Sequence, residues 1–206
     1  GFLYKLSPIL PFQLSLIFLI ASFVVVLTFK EPKIHKPIEE VNVFTHFKQS
    51  MKFIWENNFL RAILLFTVIF SIGSDLSYGY GQIYLTQLAL PVALFGIAYT
   101  FKSLLCTVFA NIAPSIRKKI NYRGIFALQI ILITVLFYVM ILTNNYLVGA
   151  ICFVLIAIPH GLFTVSKNSY LHRHIQSHQR ATVDSMFSFV VALSLLVIEP
   201  VSGYLA

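Results

Sequence analysis

An acidic residue set inside an otherwise apolar run limits what this chain can become more than any other feature. Residues 60–85, LRAILLFTVIFSIGSDLSYGYGQIYL, hold Asp75 beyond their midpoint. Coiled as a helix at ~1.5 Å per residue, the run is long enough to cross a bilayer. A carboxylate at that depth costs ~2.5 to 3.5 kcal/mol on insertion scales, so it must face protein or a water-filled cavity and not lipid. Ser71, Asp75, Tyr78 and Gln82 recur at i, i+4, i+7 and i+11, which predicts one polar stripe on a single helical face.

The rest of the chain agrees with a membrane setting. Hydrophobic residues make up 58%, charged residues only 11%, and the mean hydropathy is +0.85, against roughly 25% charged in soluble domains. This composition defines an all-α, polytopic integral membrane protein. The net charge of +8 is carried in short segments between apolar runs, where it sets topology and does not build a nucleic-acid surface. Cys106 and Cys152 lie inside apolar runs with neither CxxC nor metal-ligand spacing, so they read as packing residues. No phosphate-binding glycine loop, Gly-x-Ser-x-Gly elbow or His-Glu-x-x-His occurs. An enzyme is therefore not indicated, and no cofactor or metal is expected. The chain begins without Met and stops inside an apolar run, which reads as a fragment.

Six spans are expected, at residues 9–29, 60–85, 92–115, 124–142, 147–170 and 181–206. In the long connection 30–59, Phe44, Phe47, Met51, Ile54 and Trp55 fall at helical spacing opposite Lys48, Lys52 and Glu56. This predicts an amphipathic helix lying on the membrane surface. Asn144-Asn145 marks a turn, and Pro159-His160-Gly161 interrupts the fifth span. Basic residues concentrate in connections 30–59, 116–123 and 171–180, all on one side, while the two opposite connections have none. By the positive-inside tendency the basic side is cytoplasmic.

The charges within the spans are the candidate site. Asp75 reads as a proton-titrating or cation-binding carboxylate, or as a partner of Lys102 that fixes helix packing. Lys102, with Tyr99 one turn before it, neutralises an acid, binds an anionic solute or snorkels to an interface. Glu199 precedes Pro200, whose kink frees a carbonyl to line a cavity; otherwise it is hydrated near the outer surface. His160 is a proton relay or a buried histidine bonded to backbone, with Thr164, Lys167 and Asn168 continuing its face. Tyr78, Tyr80 and Tyr99 stack on a planar solute, a cation included, or simply pack. His172, His174 and His178 have metal-compatible spacing but lack an acidic or thiol partner in their loop, so they read as a solvated basic segment.

Four passages together resemble one family. They are Phe29-Lys30-Glu31-Pro32 before the long linker, Tyr84-Leu85-x-x-Leu88-x-Leu90-Pro91-x-x-x-Phe95-Gly96 between two spans, Arg180-Ala181-Thr182-Val183-Asp184-Ser185-Met186-x-Ser188, and the closing Pro200-Val201-Ser202-Gly203-Tyr204-Leu205-Ala206. In order and spacing they are similar to the middle and C-terminal half of a major facilitator superfamily transporter, over nearly the whole chain. The resemblance implies that residues 1–29 close the N-terminal bundle as the tail of helix 5 and helix 6. Residues 30–59 become the cytoplasmic linker, and 60–206 the C-terminal bundle, helices 7 to 11 without helix 12. It places the charge-free spans 9–29 and 124–142 at the periphery, and those bearing Asp75, Lys102, Lys167 and Glu199 around the central path. Asp184 stands where many relatives carry Leu. The implied activity is alternating-access secondary transport, proton-coupled, of a small organic, drug-like and exported solute. The implied protein is a monomer in the plasma or inner membrane, surrounded by lipid and without nucleic acid. Two other classes stay open: a membrane-embedded lipid-modifying enzyme using His160 or the histidine cluster, and a non-transporting receptor or scaffold.

Overall fold

A computed structural model describes residue 7 and residues 9–30, 43–175 and 177–205. Among the described residues the secondary structure is helical: α1 (Leu10–Val26), α2 (Val43–Glu56), α3 (Asn58–Gly79), α4 (Gly81–Gln87), α5 (Val92–Lys119), α6 (Tyr122–Leu142), α7 (Tyr146–Leu155), α8 (Ala157–His174) and α9 (Ser177–Leu205). Five stretches are long and apolar enough to cross a membrane: α3, α5, α6, α7 with α8, and α9. The first expected span is shorter than foreseen, because α1 has only 17 residues and has already ended at Leu27. None of its residues is buried, as suits a helix that is apolar all round.

Asparagines open three of the spans. The Asn57 side chain accepts from the Phe59 and Leu60 amides, Asn121 from Gly124, and Asn145 from Leu147 and Val148. Each supplies an acceptor to amides that have no partner inside the helix. At the other end of α5, Arg117, Lys118 and Lys119 occupy the last turn, where cations complement the helix dipole. The turn between α4 and α5 is a left-handed cap: Leu90 donates to the Leu85 carbonyl and Ala89 to that of Thr86. Leu85 and Leu90 then bury together with Ala98 and Phe153. Ala89 holds φ 58°, the left-handed region that glycine normally supplies at this position.

Two expected features shift. The second span is not one helix: it breaks at Tyr80, between Gly79 and Gly81, so Gln82 belongs to α4 and leaves the stripe of Ser71, Asp75 and Tyr78. The interruption in the fifth span lies at Ile156, ahead of Pro159-His160-Gly161. Pro159 explains the offset. It has no N–H to give the Leu155 carbonyl, and its ring crowds that carbonyl, so α7 stops at Leu155. Pro159 then sits in the first turn of α8, where a missing N–H costs nothing. The helix continues through His160 and Gly161 to His174.

The helices run antiparallel between a basic end and a neutral end. At the basic end, Leu60 and Ile63 of α3, Leu171 of α8, and Val183 and Phe187 of α9 form one core with Ile54 of α2. The amphipathic helix α2 thus docks on the bundle, with Phe47 edge-on to Phe189 at 5.2 Å and its Lys52–Glu56 pair exposed. The most extensive interface joins α5 to α8. It is closest at Gly161, where any Cβ would collide with the Cys106 carbonyl oxygen. Gly161→Val should therefore lower the apparent melting temperature in detergent, at a cost of ~1 to 3 kcal/mol. Ala89→Gly should raise it, by ~1 kcal/mol, since it removes left-handed strain. Thermal unfolding followed by size-exclusion chromatography checks both, and unchanged melting in the first variant would refute the close approach.

Candidate functional site

A cavity of about 480 Å³ opens between α3, α5 and the α7–α8 break. From α3 come Ser74, Asp75 and Tyr78; from α5, Lys102 and Cys106; from α8, His160. Of the eight residues foreseen for the site, Asp75, Tyr78, Lys102 and His160 line it together, and Tyr99 adjoins it through Tyr78 and Lys102.

Lys102 is buried, at 8% exposure. Its Nζ lies 4.0 Å from the Phe153 ring centroid, 4.9 Å from that of Tyr78 and 6.0 Å from that of Tyr99. The rings brace one another edge-on, Tyr78 to Tyr99 at 5.8 Å and Tyr99 to Phe153 at 5.2 Å. Gly81 makes room for this cage, because a side chain there would occupy the space of the Phe153 ring. A desolvated cation–π contact contributes ~2 kcal/mol, which offsets part of the ~2.5 to 3.5 kcal/mol that a lysine costs in mid-membrane.

The expected alternative of an Asp75–Lys102 ion pair is not formed. Among the described residues the ion pairs are Lys52–Glu56 and His172–Asp184. The principal charges acting on Asp75 are those of His160 and Glu199, whereas His160 feels both Asp75 and Lys102. His160 shares one cavity wall with the acid and the amine. Its imidazole is exposed to the cavity and makes no hydrogen bond among the described residues, so the backbone-bonded histidine is also not realised.

The other foreseen residues lie elsewhere. Gln82 is exposed on α4, outside the cavity, because of the break at Tyr80. Glu199 is exposed and reaches Asp75 only through its field; α9 runs on through Pro200 to Leu205. The carbonyl that Pro200 frees is that of Leu196, an exposed residue, so it does not line the cavity. Lys167 is two turns nearer the basic end than His160 and interacts with Asp184. Tyr80 leaves the aromatic group to hydrogen-bond Ser202 at 3.0 Å. Ser202 gives its own proton to the Glu199 carbonyl, so Tyr80 is the donor.

The basic end forms a separate network. His172 meets Asp184 at 3.1 Å across α8 and α9. Arg180 donates to the His172 carbonyl at 2.9 Å, and His174 is bonded to the Tyr170 carbonyl of its own helix. The His178 side chain lies outside the described residues. A second cavity of about 570 Å³ at the neutral end has Tyr80 and Tyr84 as its titratable groups. Sequence reasoning missed Ser74, Ser103, Cys106 and Thr107 because it weighted charge. Small polar residues one turn apart along α5 carried the signal.

Five membrane-length stretches, three of which wall a cavity bearing an acid, an amine and an imidazole, define a polytopic membrane protein. Comparison with family models makes this specific: the Major Facilitator Superfamily model matches residues 1–198. The chain belongs to that superfamily and is a membrane transporter. Neither the curated proteins nor the solved structures give a match.

If the cavity holds water, its walls answer to thiol reagents. Cys106, which lines it, should react with a small charged methanethiosulfonate, while Cys152, buried on α7, should not. Mass spectrometry of the labelled protein, with any other cysteines replaced, would read this directly. Equal labelling of both would show that the cavity is not the aqueous route.

Proposed function

We propose that this transporter is a proton-coupled secondary carrier of a small amphipathic organic solute, working by alternating access between two helical bundles. The observation that supports this best is the cavity itself. Three different spans bring Asp75, Lys102 and His160 to one volume, and ionisable side chains inside membrane spans mark solute and proton paths. Asp75 with His160 is the proton-responsive pair, and Tyr78 with Lys102, backed by Tyr99 and Phe153, forms the solute wall. The apolar remainder, Ile156 and Ala157 among it, suits a solute with a hydrophobic body.

Residues 60–206 serve as the C-terminal bundle, and residues 1–29 belong to the N-terminal one. The lack of any buried residue on α1 supports that division. The basic end, with Arg117, Lys118, Lys119 and Arg173, faces the cytoplasm under the positive-inside tendency, in a plasma or inner membrane. Carriage of a drug-like solute by a monomer completes the reading. It rests on the implied family role and is read out by which vesicle face accumulates solute.

Asp75→Asn should leave membrane insertion and melting unchanged, while solute flux falls close to background and no longer responds to an imposed pH gradient. Proteoliposomes containing the natural full-length chain measure both. Undiminished, equally pH-dependent flux would remove Asp75 from the mechanism, and no flux of any solute by the unaltered protein would favour the receptor class.

A further inference from the structure

We infer that the solute carries a negative charge, specifically a carboxylate on a hydrophobic body, and that Lys102 with Ser74 is its counter-site. The inference rests on the transport reading above and specifies its substrate.

Lys102 is a buried ammonium with no carboxylate within ion-pair distance and no hydrogen bond among the described residues. Three aromatic faces soften its desolvation but accept none of its three N–H protons as an oxygen would. An ammonium left so is costly, and hydrogen bonds from a charged donor are roughly twice as strong as neutral ones. The side chain lines the cavity, where an entering solute can supply the acceptor.

Ser74 makes the same demand from the facing helix. It is 7% exposed, its Oγ is fully buried without a partner among the described residues, and it lines the same cavity. Two unsatisfied donors from two spans thus stand at the wall of one cavity. A carboxylate, with four lone-pair positions on two oxygens, answers both.

The aromatic cage argues against a cation. Ring faces of this kind recognise ammonium groups, but here the protein's own ammonium occupies them, and a second would meet like-charge repulsion. Asp75 is the remaining objection, since it lines the same cavity and would repel a carboxylate. The groups facing it are His160 from α8 and Glu199 from α9, and Lys102 shares its cavity from α5. Its charge is removed by one proton, so the anion and the proton load together. By linkage, each then strengthens binding of the other.

The test uses the purified natural full-length chain and matched probes: 1-naphthoate and octanoate, the corresponding amides, and the corresponding primary amines. Equilibrium binding should favour each carboxylate over its amide and amine by at least about tenfold. Carboxylate binding should strengthen as pH falls, and Asp75→Asn should abolish that dependence. Lys102→Met, which fills the cage without charge, should erase the preference, Lys102→Arg should retain it, and Ser74→Ala should weaken carboxylate binding severalfold. Should the Met variant not fold, Lys102→Gln carries the same comparison. Failure of both carboxylates to bind, equal binding of amides, preference for amines, or an unchanged preference without the lysine charge would each overturn the inference. Counterflow in vesicles separates the two claims. Carboxylates that bind with this pattern but are not exchanged defeat the transport reading alone, and exchange of amines or amides without carboxylate binding defeats this inference alone.

Discussion

Backbone touches backbone where α8 crosses α5 at Gly161 and Cys106, and the geometry of the cavity descends from that contact. Without lipid-excluded apolar surface to drive them together, helices in a bilayer associate through close packing, and small residues permit it. Gly161 lets α8 approach until His160, its neighbour, shares a wall with Lys102, which lies one turn before Cys106. A second small residue, Gly81, admits the Phe153 ring over the lysine. Two absent side chains therefore decide where a cation and an imidazole stand.

What the helices bring together is a set of charges held apart. An ion pair between Asp75 and Lys102 would have neutralised both and locked α3 to α5. Instead the lysine leans on aromatic faces, and the acid feels His160 and Glu199. Partial compensation of this sort leaves each group with bonding capacity that a pair would have consumed. A carrier needs that reserve, because a site satisfied by its own residues has nothing further to offer a solute or a proton.

Much of this was legible in the sequence, for stated physical reasons. Length and apolar composition indicate the spans, and the exclusion of charge from lipid singles out Asp75 and Lys102, which line one cavity with His160. The role of Phe153 was not legible, since an apolar residue in an apolar run becomes a cation partner only through a tertiary contact. Gln82 failed because periodicity was carried across Gly79-Tyr80-Gly81, where the helix breaks. Pro159 marked its interruption correctly in kind but not in position: a proline disturbs the turn before it, here at Leu155 and Ile156. Glu199 takes the second of its two readings, exposed on α9 and outside the cavity wall.

The two helix breaks share a location that the site itself makes meaningful. Tyr80 ends the helix carrying Asp75 and Tyr78, and Ile156 is itself part of the cavity wall. On the basic side of these breaks the bundle is densely cross-linked: Arg117 bonds Tyr122, Tyr122 bonds Ser169, and His172 bonds Asp184. On the neutral side, among the described residues, the side-chain links between spans are Tyr80 to Ser202 and Tyr84 to the Met140 carbonyl. Hinges in rigid proteins are a few terminal residues of helices that absorb the change in dihedral angles. Breaks set beside the cavity thus separate α4 and α7, on the neutral side, from α3 and α8, which carry Asp75 and His160.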